Sequence, residues 1–197
     1  MRYDPEHKQR THERLLKAAA RAIRRDGPER VSVAQVMGEV GLTHGGFYAH
    51  FKSRDELIAE GVGQMFRESA ARLAKSLEGR GPREALLDYL DFYLSPAHRN
   101  ARTSGCPLPF LSGDAPRLAE PVRARFAAGV QAMEDRLAAV LTALGRSEPQ
   151  AEAGALVAEL VGTVALARAE PDEARAERML AAARERIVRR LDLETPQ

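Results

Sequence analysis

Apolar residues recur three and four positions apart along almost the whole chain, and this spacing constrains the fold more than any other feature. The segment that holds Leu15, Leu16, Ala19, Ala22 and Ile23 is one example, with basic residues at the intervening positions. Such spacing is typical of an amphipathic α-helix, whereas alternation of apolar and polar residues would indicate a strand. No segment shows that alternation. The sequence therefore predicts an all-α protein of about nine helices.

Glycine, proline and capping residues mark where the helices begin and end. The pair Gly27-Pro28 ends the first helix, and Gly41 ends the second. These breaks predict an N-terminal domain of three short helices in residues 1–55 and a larger helical domain in residues 56–197. Three pairs match the capping box, in which two side chains satisfy free amides at a helix start: Ser32 with Gln35, Ser53 with Glu56, and Ser147 with Gln150.

The first domain carries an excess of positive charge although the whole chain is nearly neutral. The 197 residues include 30 Lys and Arg against 28 Asp and Glu, a net charge of +2. Residues 1–55 alone hold 11 basic and 7 acidic side chains. A local basic excess is expected of a domain that contacts phosphates, although chance produces similar asymmetry in a charge-rich chain.

Several function classes lack support in the sequence. One cysteine cannot form an intrachain disulfide, no apolar run approaches the ~18 residues of a membrane span, and the N-terminus has no signal-peptide core. We therefore expect a cytoplasmic protein that does not enter a membrane. The five histidines show no metal-ligand spacing, and neither a nucleophile elbow nor a phosphate loop is present. We expect no enzyme activity, no metal and no cofactor.

Residues 42–53, Leu-Thr-His-Gly-Gly-Phe-Tyr-Ala-His-Phe-Lys-Ser, have an unusual composition for a packing helix. Adjacent Gly45 and Gly46 should each cost about 1 kcal/mol relative to Ala inside a helix. Hydrogen-bond donors are concentrated beside this bare backbone, while Phe47 and Phe51 supply one apolar anchor face. Because a short amphipathic helix precedes it, the segment is predicted to be the second helix of a helix-turn-helix, which enters the DNA major groove.

A capped helix, Gly-Leu and the string Thr-His-Gly-Gly-Phe-Tyr-Ala-His-Phe-Lys-Ser-Arg-Asp-Glu-Leu together resemble the DNA-binding domain of the TetR family of transcriptional repressors. The resemblance covers about the first sixty residues, and the later part is similar to the family only in helix number and order. It implies a homodimer that binds a palindromic double-stranded DNA operator with recognition helices about 34–36 Å apart. It also implies release when a small molecule enters the second domain. An α-helical interaction protein that does not bind DNA is the alternative.

The resemblance implies DNA-binding roles for five side chains. Thr43 and His44 match positions that reach base edges or phosphates, although Thr43 is also a natural N-cap and His44 could be a solvated surface residue. Tyr48 and Lys52 match phosphate-contacting positions, in keeping with a phenol donor and a flexible ammonium. His50 either donates to a phosphate or packs beneath the helix.

Three further positions complete the predicted DNA-reading surface, and a fourth departs from the family pattern. Gly45 and Gly46 permit close approach of the backbone, the alternative being a tight turn. Ser32 caps the preceding helix and places its amides where a phosphate would lie. Ala49 stands where many relatives carry a second tyrosine, so one phosphate contact common in the family is expected to be missing.

The last two helices are rich in small and apolar residues, which let helices approach closely. We predict that this pair meets its two-fold copy as a four-helix bundle, and the alternative is an ordinary intrachain core. The predicted dimer contacts are Leu156, Leu160, Val164, Met179, Ala183 and Ile187.

Apolar and aromatic residues on the middle helices are candidates for a small-molecule pocket, although the same spacing is typical of plain core. Their chemistry favours an apolar or aromatic effector. The candidates are Tyr89, Leu90, Tyr93, Cys106, Phe110, Phe126, Met133 and Leu160.

Cys106 carries a second hypothesis about the effector. Pro107 is predicted to be the first residue of a helix with Cys106 as its N-cap, and His98, Arg99 and Arg102 precede it. A positive helix end and nearby cations favour the thiolate, which reacts with electrophiles. Some members of the family that sense electrophiles or oxidants resemble this chain in a Gly-Cys at a similar place. The alternative is a small buried apolar residue.

Overall fold

The computed structural model describes residues 5–194, and its regular structure is helical throughout that range, as the sequence predicts. Two 3-10 helices cover His44–Ala49 and Ala115–Arg117. The nine α-helices of the described residues are α1 (Pro5–Asp26), α2 (Val33–Glu39), α3 (Arg54–Leu77), α4 (Pro82–Tyr93), α5 (Pro96–Asn100), α6 (Leu108–Leu111), α7 (Glu120–Ala143), α8 (Pro149–Ala169) and α9 (Glu173–Arg190).

The helix ends near the N-terminus follow the predicted signals. Gly27 directly follows α1, and Gly41 follows the Val40 cap of α2. Their φ values are 83° and 75°, a left-handed backbone conformation that residues with a Cβ disfavour. At the start of α3, the Glu56 amide donates to Ser53 Oγ over 3.1 Å. The Glu56 carboxylate in turn accepts a hydrogen bond from the Lys52 amide. The predicted Ser53 cap is therefore confirmed, but the box is not closed as predicted, because the Glu56 carboxylate bonds the amide of Lys52 and not that of Ser53 itself.

The other two predicted capping boxes do not form as expected. The Gln35 amide donates to Ser32 Oγ over 3.2 Å, but the Gln35 side chain donates to Asp26 at 2.9 Å instead of closing the box. The box predicted at the start of α8 is wrong. That helix begins after Glu148 with Pro149 in its first turn and has no side-chain cap, because proline already supplies a helical φ and lacks the amide that needs a partner.

Internal contacts divide the chain into two compact units. The first unit comprises Met1–Arg67 with Arg102–Gly129, and the second comprises Glu68–Ala101 with Val130–Gln197. This division differs from the predicted boundary after residue 55. The difference arises because the first half of α3 and part of the 102–129 segment bury their apolar side chains in the same core as α1 and α2.

One apolar cluster holds the first unit together. At Gly61 on α3, an added Cβ would lie 2.8 Å from Ile23 Cδ1 and 3.1 Å from Ala19 Cβ, so the glycine lets α1 and α3 approach closely. A Cβ at Gly129 on α7 would likewise overlap the Phe66 ring. The largest buried members of the cluster are Leu15, Ile23, Met37, Phe51, Leu57, Ile58, Met65 and Leu111.

In the second unit, two arginines satisfy carbonyl groups at each other's helix ends, an arrangement that we call the arginine junction. Arg99 of α5 donates to the Ala167 carbonyl of α8 at 2.8 Å. Arg168 of α8 donates to the carbonyls of Arg99 at 3.0 Å and His98 at 3.1 Å. The last carbonyls of a helix lack partners within the helix, so each guanidinium stabilises the other's helix end.

Helix α8 is long and apolar enough to span a membrane by length and composition alone, and 33% of its most apolar window is buried in the described chain. One such helix is weak evidence for a membrane protein, because the core helix of a soluble protein meets the same criteria.

Candidate nucleic-acid interface

Two phenylalanines anchor the segment that the sequence predicts to read DNA. The segment forms a six-residue 3-10 helix, His44–Ala49, which is shorter than the predicted recognition helix. Phe47 and Phe51 are each 2% exposed, and their rings stack with centroids 5.6 Å apart. Phe51 also stacks on His12 of α1 at 4.9 Å. The predicted anchor face is therefore confirmed.

Four polar side chains of this segment are exposed beside the anchor. Thr43, His44 and Lys52 are exposed, and Tyr48 is 72% exposed with its ring edge-to-face against Phe47 at 5.2 Å. Thr43 occupies the predicted N-cap position with φ −81° and ψ 154°, but its side chain makes no capping hydrogen bond. Within residues 5–194, the Lys52 ammonium has no carboxylate within ion-pair distance. These donors are uncommitted to the chain itself.

The paired glycines are not required by the fold of the described chain. An added Cβ at Gly45 would meet only Thr43 Oγ1 at 4.0 Å, and one at Gly46 would meet Met37 Cε at 3.6 Å. Neither glycine adopts a positive φ. Contacts of this length would tolerate alanine at both positions, so the described residues give no steric reason for the two glycines.

His50 packs against α1, which was one of the two predicted alternatives. Its ring stacks on His12 at 6.0 Å, and its buried Nδ1 has no hydrogen-bond partner among the described residues. Burial lowers the pKa of His50 below its ordinary value, and the positive charges of His12 and Lys8 lower it further. His12 Nε2 lies 3.0 Å from a carboxylate oxygen of Glu60 on α3.

Arg54 and Arg14 fix the backbone around α2, and sequence patterns missed both. Arg54 donates to the Val31 carbonyl at 2.9 Å and the Pro28 carbonyl at 2.6 Å, which ties the start of α3 to the connection that precedes α2. Arg14 donates to the Val40 carbonyl at 2.9 Å, at the C-terminal end of α2. Backbone carbonyls carry no residue-type signal, so the sequence offered no indication of these partners.

Part of the basic excess in the first unit is neutralised locally. Arg25 contacts Asp26 at 2.9 Å and Glu39 at 3.3 Å, and Arg21 lies 3.5 Å from Glu39. The hydrogen bond from Arg25 lowers the pKa of Asp26, and a second bond from Gln35 has the same effect. Residues 42–53, which we call the recognition segment, are therefore a better candidate for phosphate contacts than the face of α1 that carries Arg21 and Arg25.

The residues predicted to form the dimer interface lie mainly in the core of one chain. Met179 is partly exposed, while the other five are at most 2% exposed and are covered by the second unit's own side chains. A partner could not reach those five in this structure: Leu156, Leu160, Val164, Ala183 and Ile187. The exposed face of α8 carries different residues, namely Ala151, Ala155, Ala158 and Leu166, the last being 64% exposed.

The residues predicted to line a ligand pocket are divided between the two units. Phe110 and Phe126 are partly buried against the core of the first unit. Cys106 belongs to the same unit. In the second unit, the Tyr89 and Tyr93 rings lie 5.8 Å apart in the core. The other members of that unit, Leu90, Met133 and Leu160, are buried as well.

Cys106 does not occupy the predicted helix cap. Pro107 is the N-cap of α6, a helix of four residues, and Cys106 precedes it with 2% exposure. The neighbouring Gly105 carbonyl accepts a hydrogen bond from the buried Arg24 guanidinium at 3.1 Å, which ties this loop to α1. The N-cap prediction is therefore wrong, and burial favours the alternative of a small core residue.

Comparison with known proteins identifies relatives. The sequence model described as "Bacterial regulatory proteins, tetR family" matches residues 15–60. An uncharacterized HTH-type transcriptional regulator, YfiR of Bacillus subtilis (strain 168), is 30% identical over 86 residues, which cover 44% of this chain and 42% of that relative. The chain thus spans less than half the length of this curated relative.

Solved structures extend the likeness of fold to nearly the whole chain. A TetR-family transcriptional regulator from Agrobacterium tumefaciens aligns with a TM-score of 0.75 and 27% identity, covering 91% of this chain and 98% of that one. The reduced form of NemR from E. coli aligns with a TM-score of 0.78 and 20% identity, covering 90% and 95%. The second of these likenesses concerns the fold alone.

Proposed function

Because this chain belongs to the TetR family of bacterial regulatory proteins, whose members are transcription factors and not enzymes, we propose that it is a cytoplasmic repressor. In this proposal a homodimer binds a palindromic operator and leaves it when a small molecule binds the second domain. One observation carries the DNA-binding part: a buried phenylalanine pair presents uncommitted donors and bare backbone on one exposed surface.

Each exposed group has a proposed role at the operator. Tyr48 and Lys52 bind phosphates through the phenol and the ammonium, which position the protein without reading sequence. Thr43 and His44 reach base edges or phosphates, and Gly45 with its neighbour Gly46 lets the backbone approach the groove. Ser32 caps α2 and holds the amides at the start of that helix toward a DNA phosphate. His50, packed on α1, supports the segment instead of donating through Nδ1.

The DNA-binding proposal is tested by selecting bound fragments from the source genome and measuring affinity for the recovered site. We expect a palindrome, a preference over random DNA, and an affinity that falls steeply with salt. In a plot of log affinity against log salt concentration, Lys52→Ala should reduce the steepness of the slope by about 1, because one phosphate contact is lost. Arg123→Ala on α7 is the matched control. No binding to any duplex at low salt would favour the non-DNA alternative.

A second copy is proposed to cover the exposed face of α8. Ala151, Ala155, Ala158, Gly162 and Leu166 follow one another at helical spacing, and none of them is buried in the described chain. Small residues on such a stripe allow close approach of the two-fold related helix, and Leu166 gains burial there. This surface replaces the five core residues predicted from sequence.

The dimer proposal is tested with Ala158→Glu, which places a charge on that stripe. Light scattering after gel filtration should show a monomer, and operator affinity should fall with it because one chain holds one recognition segment. Ala124→Glu, at an exposed position on α7, should leave the mass unchanged. A dimeric Ala158→Glu protein would exclude this surface.

Release by an apolar or aromatic molecule is the proposed regulation, and release by an electrophile that reacts with Cys106 is the alternative that the sequence suggested. Cys106→Ser separates the two, because serine preserves size but removes the thiol. Since Cys106 is buried, we expect wild type and variant to bind the operator equally before and after treatment with an electrophile. Release of wild type alone would instead establish Cys106 as the sensor.

A further inference from the structure

The second unit contains an open apolar groove that no part of the DNA-binding proposal uses. Its cavity volume is about 420 Å³, within the range of roughly 300–1,000 Å³ typical of small-molecule sites. The groove lies between the C-terminal half of α3, the C-terminal half of α7 and the connection to α4. Its lining residues are Ala70, Leu73, Ala74, Leu77, Arg80, Pro82, Arg136, Ala139, Val140 and Ala143.

The floor of the groove is apolar, and the small side chains of alanines on both helices leave the space above it open. Leu73 and Val140 are 2% and 5% exposed and form the floor, while Leu77 on the edge is 39% exposed. Ala74 and Ala139 are exposed and face the groove from different helices. A contiguous apolar surface of this kind is favourable for an aliphatic chain, because each buried methylene contributes about 0.8 kcal/mol.

Two arginines are the only charged residues among those that line the groove. Arg80 donates to the Ser76 carbonyl at 3.3 Å, and Arg136 donates to the Ala132 carbonyl at 2.7 Å. In the described residues neither guanidinium has a carboxylate within ion-pair distance. The Asp88 carboxylate accepts hydrogen bonds from Ser76 at 2.7 Å and from Arg72 at 3.1 Å. The bond from Ser76 lowers the pKa of Asp88 most, and the charges of Arg72 and Arg80 lower it further.

We propose that this groove binds an amphipathic monoanion, specifically a medium-chain aliphatic carboxylate. The chain lies along Leu73, Leu77 and Val140, and the carboxylate accepts hydrogen bonds from Arg80 and Arg136. Planar guanidinium groups match carboxylates well, and such charge-assisted bonds are the stronger ones. A second copy of the protein is a poorer occupant, because a two-fold contact here would bring the arginines of both copies together. All residues that line the groove belong to the second unit, and the proposal does not require DNA binding.

The probe is sodium decanoate, titrated calorimetrically into the full-length protein without DNA. We expect saturable binding of one decanoate per chain. Acetate lacks the chain, and decyltrimethylammonium carries the opposite charge, so neither should bind. Equal binding of decanoate and decyltrimethylammonium would overturn the proposal, since it would show general detergent uptake without recognition of charge.

Two kinds of variant test the groove itself. Arg136→Gln should weaken decanoate binding at least tenfold, and Arg178→Gln, an exposed arginine on α9, is the matched control without effect. Ala139→Leu fills the groove from an exposed position and should abolish binding while far-UV circular dichroism and the melting temperature stay unchanged. Undiminished decanoate binding by both groove variants would overturn the assignment. Because no readout involves DNA, failure here is distinguishable from failure of the repressor proposal.

Discussion

The recognition segment and the arginine junction use their polar side chains in opposite ways. In the recognition segment, Thr43, Tyr48 and Lys52 are exposed, and their side chains make no hydrogen bond or ion pair with the described residues. At the junction, Arg99 and Arg168 donate to carbonyls of the chain itself. Donors committed to the chain's own backbone stabilise the fold, whereas uncommitted donors are available to a partner. Stability and binding should therefore respond to different substitutions.

The strongest way to break this contrast is to remove the anchor beneath the uncommitted donors. Phe51→Ala should lower the free energy of unfolding by about 3–5 kcal/mol, because it deletes a buried aromatic ring that stacks on Phe47 and His12. Chemical denaturation followed by circular dichroism measures the change. Tyr48→Ala, three residues earlier but 72% exposed, should change stability by less than about 0.5 kcal/mol. Equal losses from both variants would contradict the division into anchor and contact residues.

The junction offers the next largest effect. Arg168→Ala leaves the carbonyls of His98 and Arg99 without these donors, and hydrogen bonds from a charged group contribute about 1.5–3 kcal/mol each. We expect a net loss of about 2–3 kcal/mol, since water partly replaces the guanidinium. The exposed Arg178→Ala is the control in the same denaturation experiment. A loss below that of Arg178→Ala would show that the junction does not stabilise the second unit.

Gly45→Ala sharpens the contrast, because stability and operator affinity should move in opposite directions. The chain has room for the Cβ, so stability should hold or rise by up to about 1 kcal/mol. Operator affinity should fall about tenfold, equivalent to about 1.4 kcal/mol, if the backbone approaches the groove closely. Gly113→Ala, at an open position in a loop, should leave affinity unchanged. Full affinity of Gly45→Ala would remove the reason given for the paired glycines.

Local signals predicted the first unit well because its determinants are local. Gly27 and Gly41 end helices through their own backbone preference, and the Ser53 cap satisfies an amide three residues away. Phe47 and Phe51 were identifiable as anchors because they lie four apart. Each of these inferences needs only the chemistry of neighbouring residues.

The second unit was predicted less well because its determinants lie far apart along the chain. Leu156 and Ile187 are apolar at helical spacing, which is common to intrachain core and dimer interface alike, and the structure places them in the core. The groups that Arg168 bonds at the junction are carbonyls, which every residue has. The apolar groove that we propose to bind decanoate is a space between α3 and α7, and it is formed only when these helices pack. No pattern within one segment could have indicated these features.

The smallest expected effect is on the pH dependence of stability, and it arises from His50, whose ring packs on α1. The pKa of His50 is lowered by burial first and then by the charges of His12 and Lys8, so the folded protein binds the His50 proton less readily than the unfolded chain. The unfolded chain therefore takes up more protons as the pH falls below about 6.5, and the contribution of neutral His50 to stability is lost as the pH falls through the folded-state pKa. Above that range the contribution is fully present.

Thermal melts between pH 8 and pH 5 should accordingly show a loss of stability on the acidic side that His50→Gln reduces. His44→Gln is the matched control, because the His44 ring is exposed on the same segment and should leave the pH dependence as it is in the wild type. The comparison separates the effect of the packed His50 ring from that of the exposed His44 ring in the same segment. Identical curves for wild type and His50→Gln would show that the packing of His50 on α1 does not contribute to the pH dependence of stability.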